Sequence, residues 1–405
     1  MLKAYKYRLY PTKPQQEYLN QNFGAVRFVW NQLVANFNSW EKGVIKPEVT
    51  EKTLKDNPEY SWLHDSISYA LQQKRIDFVE TKKQFFNKNR LISLGRMKFK
   101  KKEVAKDSFR IPGQKVNYND CIDFDTSRIK LPKMTPIKLS IDRPFTGNLR
   151  SVTVSKNKCN QYFVSVLVDT TSELKQNTGR SIGIDLGLNH LCTFSNGVKI
   201  HNPRIFRKNQ AKLKKQQQHL SRKIKGSNRY NKQKLKVAKL HLKIANQRSW
   251  FNHNLSTWLV SNYDHVFMED LNVAGMKKLF GKSISDASFS SLVNMIEYKC
   301  SWYGKVFHKI DRWYPSSKAC NCCGNRISEL PLNIREWECI SCGSVNDRDL
   351  NAARNILDEG FRTLYNFTSE ELSDYKRRER VNLPDSSEVS FSEAFSNFID
   401  FYKNA

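Results

Sequence analysis

Residues 320–357 read CNCCGNRISELPLNIREWECISCGSVNDRDLNAARNIL, and two chemistries share that stretch. Its first part carries two C-x-x-C-G knuckles, Cys320/Cys323 and Cys339/Cys342, with 15 residues between them. In each knuckle two thiolates can reach one ion, because the glycine that follows permits a tight turn with positive φ. Four thiolates closed around Zn2+ make a structural site, since no coordination position stays open for water. Cys322 stands out of register, either a bystander or a competitor of Cys323. The second part is a helix opened by Asp347 or Asp349, with Ala352, Ala353, Ile356 and Leu357 as a small apolar face.

Upstream, two apolar strands also end in acid. Asp185 lies in SIGIDLGLNH (181–190), and Glu269-Asp270 close HVFMED (265–270). A carboxylate in an apolar strand is costly unless a cation compensates it. Singly, each acid has an ordinary reading: Asp347 as a helix N-cap, Asp270 as the start of a turn, Asp185 as a structural group. Together they are acids at element ends in a chain otherwise short of negative charge. Converging carboxylates repel unless divalent cations bind. Two Mg2+ ions roughly 3.5–4 Å apart can activate a water and stabilise the leaving oxygen of a phosphodiester.

The charge is as uneven as the motifs. The 405 residues hold 68 Lys plus Arg against 39 Asp plus Glu, for a formal charge of +29. Residues 361–405 carry 6 basic and 8 acidic groups, which leaves +31 on residues 1–360. From Leu186 to Tyr263 there are 78 residues with 17 Lys plus Arg and no acid at all. A helix without acids cannot form the i, i+4 ion pairs that offset such repulsion, so a polyphosphate backbone is the expected counter-charge. The length predicts two or three domains. No uncharged apolar run approaches the length of a membrane span, and the N-terminus lacks a signal-like apolar stretch, so a cytosolic location is expected. Five of the nine Cys fall between residues 320 and 342, which favours a local metal site over a disulfide framework. Cys121, Cys159, Cys192 and Cys300 read as small core residues.

Pattern then divides the chain. KAYKYRLY before Pro11 reads as a strand, and residues 15–89 as helix, from the three-and-four spacing of Phe23, Val26, Trp30, Leu33 and Phe37 and of Ile67, Leu71, Phe78 and Phe85. A basic loop, GRMKFKKKEVAK, precedes short strands over 108–170, as in a small barrel or sandwich. After a polar linker near 171–179, residues 181–200 read as a two-stranded hairpin and the acid-free run as helix broken at Gly226-Ser227-Asn228. HVFMED and VFHKID are strands flanking a helix near 292–303.

Taken together, Y-x-x-R-L-Y-P-T, GIDLGLNHLCTFSNG, MEDLNVAGM, SWYGKVFHKID, YPSSKACNCCG and WECISCGSVNDRDLNAARNIL resemble the TnpB family, RNA-guided nucleases of bacterial insertion sequences related to type V CRISPR effectors. The likeness covers about residues 1–360. It implies a multidomain α+β protein: a helical recognition lobe at 12–105, and a β-barrel wedge domain from residues 1–11 and 106–178. An RNase H-like (RuvC) α/β nuclease domain at 179–314 resumes with its last helix at 346–360, and a four-cysteine zinc ribbon is inserted at 315–345. Residues 361–405 are a tail, either disordered or a short helix around Phe391, Phe395, Phe398 and Phe401.

By the same resemblance Asp185, Glu269 and Asp349 hold catalytic Mg2+, with Asp347 as the rival third acid, and Cys320, Cys323, Cys339 and Cys342 hold Zn2+. Guide RNA and target DNA are the implied partners of a single copy, with Tyr69 and Gln72 either readers of a flanking motif or plain packing residues. Many relatives carry Pro where this chain has Met97. The acid order Asp, Glu, Asp is that of RuvC nucleases, not of Asp, Asp, Glu transposases. The expectation is therefore an endonuclease encoded by a transposable element. A nuclease-dead RNA-guided repressor, which would be expected to lose an acid, and a strand-transfer transposase are the alternatives.

Overall fold

The computed structural model describes residues 1–39, 49–87, 97–102, 104, 106–113, 121–331, 333–368 and 370–371. The chain divides into two units, Met1–Thr171 and Ser172–Ala405. Expectations for the tail beyond 371 and for Gly95-Arg96 lie outside the described residues. No described helix is long and apolar enough to cross a membrane.

In the first unit β1 (Leu2–Tyr10) leads to α1 (Lys13–Asn38), α2 (Glu51–Asp56), a 3-10 turn (Pro58–Asp65) and α3 (Ser68–Phe85). The strands β2 (Asp107–Pro112), β3 (Ile122–Asp123), β4 (Arg128–Ile129), β5 (Ile137–Ser140), β6 (Asn148–Lys156) and β7 (Tyr162–Asp169) follow. The apolar spacing anticipates α1 and α3. What it does not show is that β1 pairs antiparallel with both β5 and β7, inside one seven-stranded sheet ordered β2-β6-β7-β1-β5-β4-β3. Alternation buries one face: in β7, Tyr162, Val164, Val166 and Val168 are all buried. Buried Asn22 joins the helices, its side-chain oxygen accepting from the Ile67 N–H at 2.8 Å. Met97 is buried in the same core, and Tyr69 packs half-buried against it while Gln72 is exposed.

In the second unit the expected hairpin is three strands, β8 (Ser181–Asp185), β9 (His190–Phe194) and β10 (Lys199–His201). Then come α4 (Ile205–Ser221), α5 (Asn228–Asn262), β11 (His265–Glu269), α6 (Val273–Ala287), α7 (Phe289–Tyr303) and β12 (Val306–Ile310). Two short strands, β13 (Glu336–Glu338) and β14 (Val345–Asp347), lead into α8 (Arg348–Tyr365). Helix α6 was not anticipated, because Gly275 and Gly281 break its helical pattern. Helix α5 begins where the glycine break predicted, with Ser227 capping the Tyr230 N–H at 3.1 Å. The five-stranded sheet runs β10-β9-β8-β11-β12, with β8, β11 and β12 parallel, β9 antiparallel to β8, and β10 antiparallel to β9.

Strand parity sorts the two faces of that sheet. Ile182, Ile184, Val266 and Met268 pack with Leu255 and Leu259 of α5 and Leu292 and Ile296 of α7. Phe267 points the other way, onto Ile356 and Phe361 of α8. Gly183 shares that second face because α8 presses on it: a Cβ there would collide with the Ala353 carbonyl oxygen and lie 2.7 Å from the Leu357 backbone nitrogen. A Cβ on Gly360 would likewise enter the Phe267 ring.

Candidate acid cluster and thiolate site

Side chains two apart on a strand share a face. Asp185 therefore lies on the Gly183 face and Glu269 on the Phe267 face, so both acids look towards α8. Parallel pairing of Met268 with Ile184 brings them side by side at the carboxyl ends of adjacent strands. On α8, Asp349, Ala353, Ile356 and Gly360 follow one helical stripe, and Ala353 sits on Gly183. Asp349, one turn nearer the helix N-terminus, thus reaches past the strand ends towards the other two acids.

The electrostatics agree with this convergence. The Asp185 carboxyl is pushed up to about 7, first by burial and then by the negative charges of Asp349 and Glu269, with Arg348 and Arg335 opposing. Burial raises Glu269 as well, opposed by the Ser316 hydroxyl, which donates to Oε1 at 2.8 Å. Asp349 is held by Arg335 at 3.2 Å, and His190 Nδ1 lies 4.0 Å from it. Asp347 is differently placed. It caps α8 through the Leu350 N–H at 2.9 Å and pairs with Lys199 at 2.6 Å. Burial would raise its carboxyl, but the Lys199 bond and charge together with the Leu350 and Asp349 N–H groups outweigh it and hold it below the usual range. Asp270 pairs with Arg312. The cap reading thus describes Asp347, and Asp270 is taken up by Arg312, while Asp185, Glu269 and Asp349 come together.

Ser316, Arg335, Lys199 and His190 had not been singled out from sequence. Each acts on an acid far along the chain, or one whose spacing follows no local period.

The four knuckle cysteines bring their sulfurs within 4.8 Å of one another, and among the described residues no other His, Cys, Asp or Glu set of three or more is as tight. The separations are 3.8 Å for Cys320–Cys342 and 3.6 Å for Cys323–Cys339. Tetrahedral bonds of about 2.3 Å give edges of about 3.8 Å, so the thiolates fit one ion. Gly324 and Gly343 adopt φ of 77° and 69° and return N–H bonds of 2.8 Å to Cys320 and Cys339. Cys322 is exposed and outside the group, whereas Cys121, Cys159, Cys192 and Cys300 are buried. Asn351 and Asn355 of α8 bind the knuckle, each donating to the Ala319 carbonyl, at 2.7 and 2.6 Å.

The same unit carries the cationic surface expected from the acid-free run. On α5, Gln233, Val237, Leu240 and Ile244 are buried, while Lys232, Lys236, Lys239 and Lys243, at i, i+4, i+7 and i+11, form an exposed stripe about 100° round the helix. Helix α4 packs along α5, and buried Asp286 of α6 caps it through the Phe206 and Arg207 N–H groups at 2.8 and 3.2 Å.

A family model described as "Probable transposase" matches residues 163–279, one described as "Cas12f1-like, TNB domain" matches 289–356, and one described as "Helix-turn-helix domain" matches 1–43. The described part of 1–43 is one strand and one continuous helix. A protein of Streptomyces pristinaespiralis, named as an RNA-guided DNA endonuclease, is 37% identical over 369 residues, covering 88% of this chain and 89% of its own. The Escherichia coli K12 protein InsQ, named likewise, is 32% identical over 387 residues, covering 90% and 93%. A cryo-EM structure titled as a Cas12f1-sgRNA-target DNA complex aligns at TM-score 0.49 and 16% identity, covering 85% of this chain and 83% of that one.

Proposed function

The chain belongs to the TnpB family, and from that membership we propose that it is an RNA-guided DNA endonuclease that hydrolyses target DNA at Asp185, Glu269 and Asp349. The observation that carries the reading is the gathering of three carboxylates on the α8 face, where burial and then the charges of Asp349 and Glu269 lift Asp185 to about 7. Three acids with one of them, Asp349, paired to an arginine leave negative charge that divalent cations would meet, and the all-oxygen donor set suits Mg2+. Bound there, the ions would lower the pKa of a water and neutralise charge on the phosphodiester.

The protein's own groups position the site. Ser316 fixes one oxygen of Glu269, Arg335 steadies Asp349, and Lys199 draws Asp347 away into the helix cap. The Lys232–Lys243 stripe offers phosphate contacts that carry no sequence information, so base pairing with a guide RNA would read the target while the protein reads backbone shape and a short flanking motif. The cysteine site is assigned Zn2+, which closes the ribbon that delivers Arg335 to Asp349. The five-stranded sheet with α8 is assigned to the RuvC-like domain, the seven-stranded sheet to the wedge barrel and α1 to α3 to the recognition lobe. The order Asp, Glu, Asp and the hydrolytic reading stand against strand transfer, and all three acids being present stands against a nuclease-dead repressor.

Expression with the flanking element sequence tests this. The protein is expected to co-purify with an RNA destroyed by RNase and not by DNase, and replacing the guide segment of that RNA should redirect cleavage to the newly matched duplex. Protein free of RNA, or cleavage that ignores the guide, would overturn the reading.

A further inference from the structure

Trp313 is 84% exposed. It belongs to the turn Asp311-Arg312-Trp313-Tyr314-Pro315-Ser316, which follows β12 and ends beside Glu269. The turn is firmly built. The Trp313 N–H donates to Asp311 Oδ1 at 2.6 Å, the Tyr314 N–H to the Asp311 carbonyl at 3.2 Å, and Arg312 is paired with Asp270. Ser316 in turn donates to Glu269 at 2.8 Å. Tyr314 fills the inward position, packed against the cluster of Phe267, Ile310, Ile356 and Phe361. The segment's apolar anchoring is thus met without Trp313, whose indole is left facing water at a real cost in unburied apolar area.

Three Cα steps of about 3.8 Å separate Trp313 from Ser316, so the Cα that carries the indole lies within about 11 Å of that of the residue that touches Glu269. At about 3.4 Å or more per nucleotide, that is a few nucleotides from a phosphate held at the acids. Of the carboxylates near the ring, Asp270 is paired with Arg312, and Asp311 is turned back to accept the Trp313 N–H.

We infer that Trp313 is a stacking platform for an unpaired base of the DNA strand held at the acid cluster. Every base has a π face, so the contact tolerates any sequence, as a nuclease directed by a changeable guide requires. The inference rests on the endonuclease reading and adds a substrate contact to it.

The test uses the full chain with its RNA and a single-stranded target complementary to the guide, carrying 5-iododeoxyuridine at successive positions near the cut. Long-wave irradiation should crosslink Trp313, identified by peptide mass spectrometry. Trp313→Ala should raise KM for this strand by roughly 5- to 140-fold with kcat little changed, the equivalent of one stacked base at tenfold per 1.4 kcal/mol. Trp313→Phe should restore most of the loss, and guide RNA retention should not change in either variant. Crosslinks that map elsewhere or join Trp313 to the guide RNA, or an unchanged KM in Trp313→Ala, would overturn the inference. Crosslinking needs no cleavage: wild-type protein that crosslinks but never cuts removes the endonuclease reading, whereas cutting without the Trp313 contact removes this inference alone.

Discussion

At the scale of single residues, burial decides which ionisable groups bear on stability and which on chemistry. Lys299 of α7 is 5% exposed and donates to the His253 carbonyl and the Ser256 and Thr257 hydroxyls, each at 2.7 Å. Burial, with Lys175 adding, pulls its ammonium down to about 8 from 10.5. Because the folded value lies below the unfolded one, stability is greatest above pH 10.5 and falls as the pH drops towards 8, where the loss is complete. Chemical denaturation of wild type and Lys299→Met across roughly pH 7–10.5 should show a difference that changes by at most about 3 kcal/mol between pH 8 and 10.5 and is constant below. Asp185 and Glu269 were legible as strand-end acids because period-two apolar residues surround them. Ser316 and Arg335 were not, since a hydrogen bond to a distant carboxylate leaves no mark on local pattern.

At the scale of elements, α8 sets the position of Asp349, and its seat is Gly183. The colliding atoms are α8 backbone, which cannot rotate away as a side chain would. Gly183→Ala should therefore cost about 1–3 kcal/mol in thermal unfolding and cut cleavage far more than DNA binding, by shifting the helix that carries Asp349. Local patterning revealed these strands and α8, because apolar periodicity marks one buried face. It could not show that β1 lies mid-sheet between β5 and β7, a pairing between segments far apart in the chain, nor that β10 pairs with β9 from Lys199–Thr193 to His201–His190 across a register shift. On α5, charge-to-alanine replacement of Lys232, Lys236, Lys239 and Lys243 should leave folding intact, since all four are exposed. For each lysine that meets a phosphate, the slope of log binding constant against log salt should become shallower by about 0.7–0.9.

At the scale of the whole molecule, two charge patterns coexist: a chain of +29 and a small nest of acids. The thiolate site links them, since its ribbon supplies Arg335. Elemental analysis should find one zinc per chain, lost in Cys339→Ser and kept in Cys322→Ser, and metal loss should lower the melting temperature and weaken cleavage together. The direct test of the central claim is cleavage of a guide-matched duplex in Mg2+ by wild type and by Asp185→Asn, Glu269→Gln and Asp349→Asn complexes that retain RNA and bind the duplex. The account predicts cutting by wild type and at least a hundredfold slower cutting by each variant, about 2.7 kcal/mol or more of lost transition-state stabilisation. Cutting at the wild-type rate by any of the three would contradict it.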